Sequence, residues 1–134
     1  MQLQITTDYA IRVIGYLVLC DGKLANAKDI SEQMGITYQY FLKISARLKE
    51  AGLILTEQGR NGGYRLAKDA EDITLYDIVK TMEGEIYFNR CLEPDGFCSR
   101  YATDTCPVHN IFVDLQTDII TSLKSKKMSD IWKP

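Results

Sequence analysis

Between Cys91 and His109 the 134-residue chain places three of its four cysteines and its only histidine, in the order Cys91-x6-Cys98-x7-Cys106-x2-His109. Thiolate and imidazole are the ligands of zinc and of iron-sulfur clusters, and three Cys with one His make a complete set of four. The intervening Gly, Pro, Asp, Ser and Thr mark a loop, so these thiols are not needed for packing. Zinc knuckles draw two ligands from one tight turn, and only Cys106 and His109 stand that close, which argues against zinc. A disulfide framework would leave one of the three thiols over, and nothing in the chain suggests export. A cluster, a zinc ion, and reactive or inert thiols all remain open at this point.

The elements that must position this loop begin with a first helix. Thr6 or Thr7 is expected to cap it, with Asp8 in its first turn and Tyr9, Val13, Tyr16, Leu17 and Cys20 at helical spacing. Cys20 falls on that stripe and reads as a small packing residue, outside the site. The apolar run Ile11 to Leu19 is interrupted by Arg12 and is too short to span a bilayer, so a soluble, cytoplasmic protein with no membrane partner is expected.

Asn26 is expected to cap a short helix over residues 27–34, stopped by Gly35, and Thr37 a third helix to about Ala51. Two helices across a tight turn predict a helix-turn-helix, with Ile30, Ile36, Phe41, Ile44 and Leu48 buried. Thr37, Tyr38, Gln39, Tyr40, Lys43 and Arg47 are then the candidates for DNA contact. Gln39 can pair with adenine, Lys43 and Arg47 with guanine or phosphate, and the tyrosines with a thymine methyl or phosphate. The strand-like runs 53–58 and 64–67 flank Gly59-Arg60-Asn61-Gly62-Gly63, a hairpin with a basic tip and Tyr64 at its return. Glycines 59, 62 and 63 permit positive φ and close backbone approach, and Arg60 projects as a minor-groove arginine would. Helix-turn-helix plus hairpin is a winged helix.

Charge follows the same division. From Thr37 to Lys68 six basic residues face two acidic ones, a net of +4, whereas Asp69 to Asp114 carries a net of −7, hidden within an overall charge of −2. One basic face for phosphate and an acidic remainder suit a DNA-binding protein. Thr74 is expected to cap a helix over residues 75–83 ended by Gly84. Pro107 opens a long helix to about Lys126, striped with Ile111, Phe112, Leu115, Ile119 and Leu123. Such a stripe is best covered by a second copy of the chain, giving a two-fold dimer on a palindromic operator. Ser129 to Trp132 reads as a closing turn. The expected fold is mainly α with a small β-hairpin: residues 1–83 a winged helix-turn-helix domain, 84–109 a cysteine-rich loop, 110–134 a dimerisation helix and C-terminal turn. No paired carboxylates or nucleophile motif points to catalysis or to a small-molecule substrate.

Across nearly its whole length the chain resembles the bacterial Rrf-type winged-helix regulators typified by IscR, NsrR and CymR. The resemblance lies in Met1-Gln-Leu with Thr7-Asp8-Tyr9-Ala10-Ile-Arg12, in the wing Gly59 to Leu66 followed by Ile73-Thr-Leu-Tyr-Asp-Ile78, and in a three-cysteine loop before a long helix. It implies a transcription regulator, usually a repressor, in which Cys91, Cys98 and Cys106 hold an iron-sulfur cluster near the dimer interface. His109 matches the fourth ligand of the [2Fe-2S] branch. Asp8 matches the position from which the [4Fe-4S] branch supplies a carboxylate across the dimer. The signal implied is iron-sulfur status, nitric oxide or redox state. The competing expectations are a regulator with structural zinc or thiol-switch cysteines, and an electron-transfer protein, for which a complete winged helix has no use.

Overall fold

The computed structural model describes residues 1–134. The chain runs α1 (Ile5–Leu19), α2 (Ala27–Met34), α3 (Tyr38–Glu50), β1 (Ile54–Glu57), β2 (Gly63–Leu66), α4 (Leu75–Glu83), α5 (Pro107–Lys124) and α6 (Met128–Ile131). It is mainly α with one two-stranded antiparallel sheet, as expected.

Local capping chemistry sets most helix starts. Asn26 accepts from the Asp29 amide and Thr37 from the Tyr40 amide, while Thr74 and Asp77 form a reciprocal capping box. Gly35 takes the left-handed conformation that ends α2, at φ 67°. The first helix departs from expectation. It begins at Ile5 with Gln4 as its cap residue, and Thr7 is fully buried inside it. Its hydroxyl is engaged by the Glu83 carboxylate, which also accepts from the Gln4 amide at 3.2 Å. Gln4 itself makes no side-chain cap bond, and the Glu83 carboxylate ties the start of α1 to the end of α4.

The core lies where α1 crosses the helix-turn-helix. Val13, Ile14, Leu17, Ile30, Phe41, Ile44, Leu48, Ile54, Ile73, Ile78 and Met128 all belong to it and are buried. The buried face of α1 centres on Ala10, Val13, Ile14, Leu17 and Val18, which leaves Tyr9, Tyr16 and Cys20 at its edge.

The hairpin pairs Ile54 with Leu66 and Glu57 with Gly63, and a third short segment joins it where Ala25 and Tyr64 exchange amide-carbonyl bonds of 3.0 and 2.8 Å. Of the three wing glycines only Gly59 has positive φ, at 109°. Gly62 and Gly63 serve close approach instead: a Cβ on Gly62 would stand 2.1 Å from the Glu57 carbonyl oxygen, and one on Gly63 2.6 Å from that of Ala25.

The long helix ends at Lys124, two residues short of expectation, and its apolar residues divide between two faces. Phe112, Ile119 and Leu123 are half-buried against the chain, whereas Val108, Ile111 and Leu115 are exposed. Beyond it the chain returns to the winged-helix core. The Met128 amide donates to the Ile73 carbonyl at 2.8 Å, and Trp132 lies across Gly15, where a Cβ would clash with its ring. No helix is long and apolar enough to cross a membrane.

Candidate nucleic-acid interface and cysteine pocket

Helix α3 buries Phe41, Ile44 and Leu48 and turns Tyr38, Gln39, Lys43 and Arg47 to the surface. Its two outward halves differ in what they are free to do. Lys43, and Arg60 at the exposed wing tip with Asn61, enter none of the ion pairs of the chain. Arg47 instead donates to the Thr81 carbonyl at 2.9 Å and ties α3 to α4. Tyr64 faces inward: its ring meets Phe41 edge-on at 5.0 Å. Tyr40 packs edge-on against Tyr9 of α1 at 5.8 Å. Within the expected DNA-contact set, then, Arg47 and Tyr64 hold the scaffold, while Tyr38, Gln39, Lys43 and Arg60 face out.

The three loop cysteines and His109 line one open pocket of about 320 Å³ together with Phe97, Phe112 and Val108. His109 Nδ1 lies 3.1 Å from Cys91 Sγ, and the Asn89 side-chain amide donates to the same sulfur at 3.5 Å. The pocket wall is braced from both ends. Arg90 clasps Asp95 through two bonds of 2.6 and 2.8 Å and lies over the Phe97 ring. That clasp holds the Asp95 carboxyl down to about 2. On the helix side, Gln116 of α5 accepts from the Phe88 amide at 2.7 Å and Phe88 packs on Phe112 at 5.4 Å.

Cys98 sits at a turn made by Tyr101, whose φ is 54° and whose amide donates to the Cys98 carbonyl. The amides of Ala102 and Arg100 hold the Cys98 thiol below its ordinary value against the opposing loss of water, and the Arg100 charge and Thr103 hydroxyl add to the effect. Burial pushes the Cys20 thiol the other way, in keeping with a packing role.

No three His, Cys, Asp or Glu side chains stand close enough to share one metal ion. A structural zinc ion crowds its four ligands around a single point at bonds of about 2.3 Å or less. A cluster distributes its thiolates over separate irons around a larger body. Three thiols and an imidazole line one pocket here without converging on a single point.

Asp8 is not in this pocket. It lies on α1, paired with Arg12 at 2.7 Å, and the other arm of that guanidinium donates to the Met34 carbonyl in the turn between α2 and α3 at 3.0 Å. Arg12, Glu83, Asn89, Gln116 and the Arg90–Asp95 clasp were not singled out from sequence. Of these only Arg12, four residues after Asp8 on the same helix face, left a local signal.

A helix-turn-helix with a three-segment wing defines a winged-helix DNA-binding fold. The family model described as "Iron-dependent Transcriptional regulator", Rrf2, matches residues 3–134. The chain belongs to this family, whose members are transcriptional regulators and not enzymes. It is 36% identical over 107 residues to the HTH-type transcriptional regulator NsrR of Shouchella clausii, covering 79% of this chain and 67% of that one. It is 38% identical over 93 residues to protein aau3 of Rhizobium meliloti, covering 69% of this chain and 60% of the relative, so the match spans less than two thirds of that protein. Among solved structures, CymR (YrzC), the global cysteine regulator of B. subtilis, superposes with a TM-score of 0.80 at 22% identity over 98% of this chain and 95% of that one. At that identity the likeness speaks for the fold.

Proposed function

We propose that the chain acts as a homodimer that binds a palindromic operator through α3 and the wing, usually to repress, with its affinity set by an iron-sulfur cluster held by Cys91, Cys98 and Cys106. The observation that carries this is the convergence of all three loop thiols and His109 on one pocket. The similarity to NsrR is in keeping with it. The exposed row Val108, Ile111 and Leu115 on α5 supports pairing with a second copy, because an apolar helix face of that length is otherwise left in water.

Either His109 of the same chain or Asp8 of the partner subunit completes the ligand set. A bound cluster supplies a tie among thiolates that redox change, nitric oxide or iron-sulfur shortage can break. The protein's part is transmission. Asp8 and Met34 share the Arg12 guanidinium, so drawing the Asp8 carboxylate toward a neighbouring pocket alters the hold on the helix-turn-helix turn.

Anaerobic purification followed by an ultraviolet-visible spectrum with iron, sulfide and zinc analysis tests the cluster. Brown protein with matched iron and sulfide is the expected result. Colourless protein with zinc or no metal sinks cluster control and leaves DNA binding standing. The thiolate-favouring surroundings of Cys98 give a thiol switch its one supporting observation, and in that case colourless protein would lose operator affinity on mild oxidation and regain it with reductant.

A further inference from the structure

We infer that the cavity between the end of α1, the strand leaving the wing and α6 is a second binding site. It takes a free apolar amino acid, with the ammonium on Asp21 and Asp69 and the carboxylate on Arg65 and Lys68. The site lies apart from both the cysteine pocket and the DNA-facing side of α3, and it goes beyond the function proposed for them.

The cavity measures about 470 Å³, within the range of small-molecule sites. Its lining is of two kinds. Leu17 and Val18 of α1, Leu66 of β2 and Trp132 supply apolar surface, whereas Asp21, Arg65, Lys68 and Asp69 supply charge of both signs. Asp21, Lys68 and Asp69 enter none of the ion pairs of the chain, and Arg65 pairs only with Glu57 across the hairpin, at 3.0 Å. The one buried side-chain nitrogen or oxygen left without a hydrogen-bond partner, Trp132 Nε1, belongs to a residue of the same lining.

These charges discriminate between classes of ligand. A simple anion drawn to Arg65 and Lys68 would also meet Asp21 and Asp69, and a simple cation would meet the two bases. An uncharged apolar molecule would strip water from all four groups without replacing it. A zwitterion answers both signs at once. A free amino acid carries its two charges on one carbon, which leaves its side chain for Leu17, Leu66 and Trp132.

Trp132 is the only tryptophan of the chain, so its emission reports on the cavity directly. The protein as purified is titrated with L-alanine, L-valine, L-leucine, L-methionine and L-phenylalanine in turn, by emission and by calorimetry. At least one is expected to bind saturably at millimolar concentration or below. Its N-acetyl and carboxamide derivatives, each lacking one charge, are expected to bind at least about tenfold more weakly, the worth of a charge-assisted hydrogen bond. Asp21→Asn and Lys68→Gln, both at exposed positions and checked for unchanged thermal unfolding, are expected to lose about as much. Absence of saturable binding by all five, a blocked derivative that binds as tightly as the free amino acid, or affinity undiminished in both variants overturns the assignment. The DNA-binding reading stands under any of these results.

Discussion

The Arg12 guanidinium donates to the Met34 carbonyl at 3.0 Å, joining the first helix to the end of α2, just before the turn that leads into the recognition helix. The carbonyl belongs to the last residue of α2, one of the unpaired groups at a helix end, so this side chain acts as a C-cap from another element. Its second arm holds Asp8 and its charge lies over the Tyr9 ring at 5.2 Å. Replacing Arg12 with Ala is expected to cost about 1 kcal/mol of stability, the pair being part-exposed. It should also uncouple operator affinity from cluster loading. Urea unfolding and DNA titrations of cluster-loaded and cluster-free protein check both, and an unchanged difference between the two forms would remove Arg12 from the relay.

The wing depends on close backbone approach more than on left-handed residues. Gly63→Ala would drive a Cβ into the Ala25 carbonyl, and Gly62→Ala into that of Glu57, neither of which can rotate away. Each is expected to lower stability by about 2–3 kcal/mol. Gly59→Ala, which meets open space and only backbone strain, should cost about 1 kcal/mol. Faster hydrogen exchange at the Ala25 and Tyr64 amides in Gly63→Ala would locate the damage, and wild-type stability there would refute the close contact.

Local chemistry made most of this fold legible. Asn26, Thr37 and Thr74 cap helices because a side chain three residues from an orphan amide needs no tertiary context. Thr7 misled for the opposite reason: its hydroxyl answers to Glu83, seventy-six positions away in sequence. The Cys91-to-His109 segment named the donor atoms, yet its spacing could not say that they share a pocket, which depends on Arg90 clasping Asp95 and Gln116 holding Phe88. Arg47 and Tyr64 have the residue types of DNA contacts, and only the fold shows them turned to Thr81 and Phe41.

That distinction separates Arg60 from Arg47 experimentally. If Arg60 and Lys43 meet phosphate, Arg60→Ala should flatten the dependence of log affinity on log salt by about 0.9 in slope. Arg47→Ala should leave that slope nearly unchanged and lower stability instead, through the lost bond to Thr81. Titrations at several salt concentrations with matched melting curves decide, and equal slopes for all three proteins would take Arg60 out of the interface.

In cluster-free protein Cys98 and Cys20 should diverge in alkylation. Amides around Cys98 lower its pKa, so its thiolate is already populated at pH where the raised Cys20 thiol is still protonated. Rising pH should therefore accelerate Cys98 modification first and Cys20 last, as peptide mass spectrometry of timed iodoacetamide reactions can follow. The reverse order would contradict the turn geometry at Tyr101.

The fourth ligand can be assigned by mixing subunits. If Asp8 acts across the dimer, each site combines three thiols of one chain with the carboxylate of the other. Asp8→Ala and Cys98→Ala homodimers then have no complete site. A heterodimer of the two has one, because the chain that keeps Cys98 meets the chain that keeps Asp8. If His109 acts within its own chain, the His109→Ala and Cys98→Ala pair contains no complete site in either form, and mixing restores nothing. His109 approaches Cys91 at 3.1 Å, and Asp8 lies outside the pocket that the two line. Differently tagged chains, refolded together and reconstituted anaerobically, should under the trans arrangement give one cluster per dimer in the Asp8 pairing where neither homodimer gives any, whereas under the cis arrangement the Asp8→Ala homodimer loads unaided and the His109 pairing gives none. Full loading of the Asp8→Ala homodimer by itself would exclude Asp8 as a ligand.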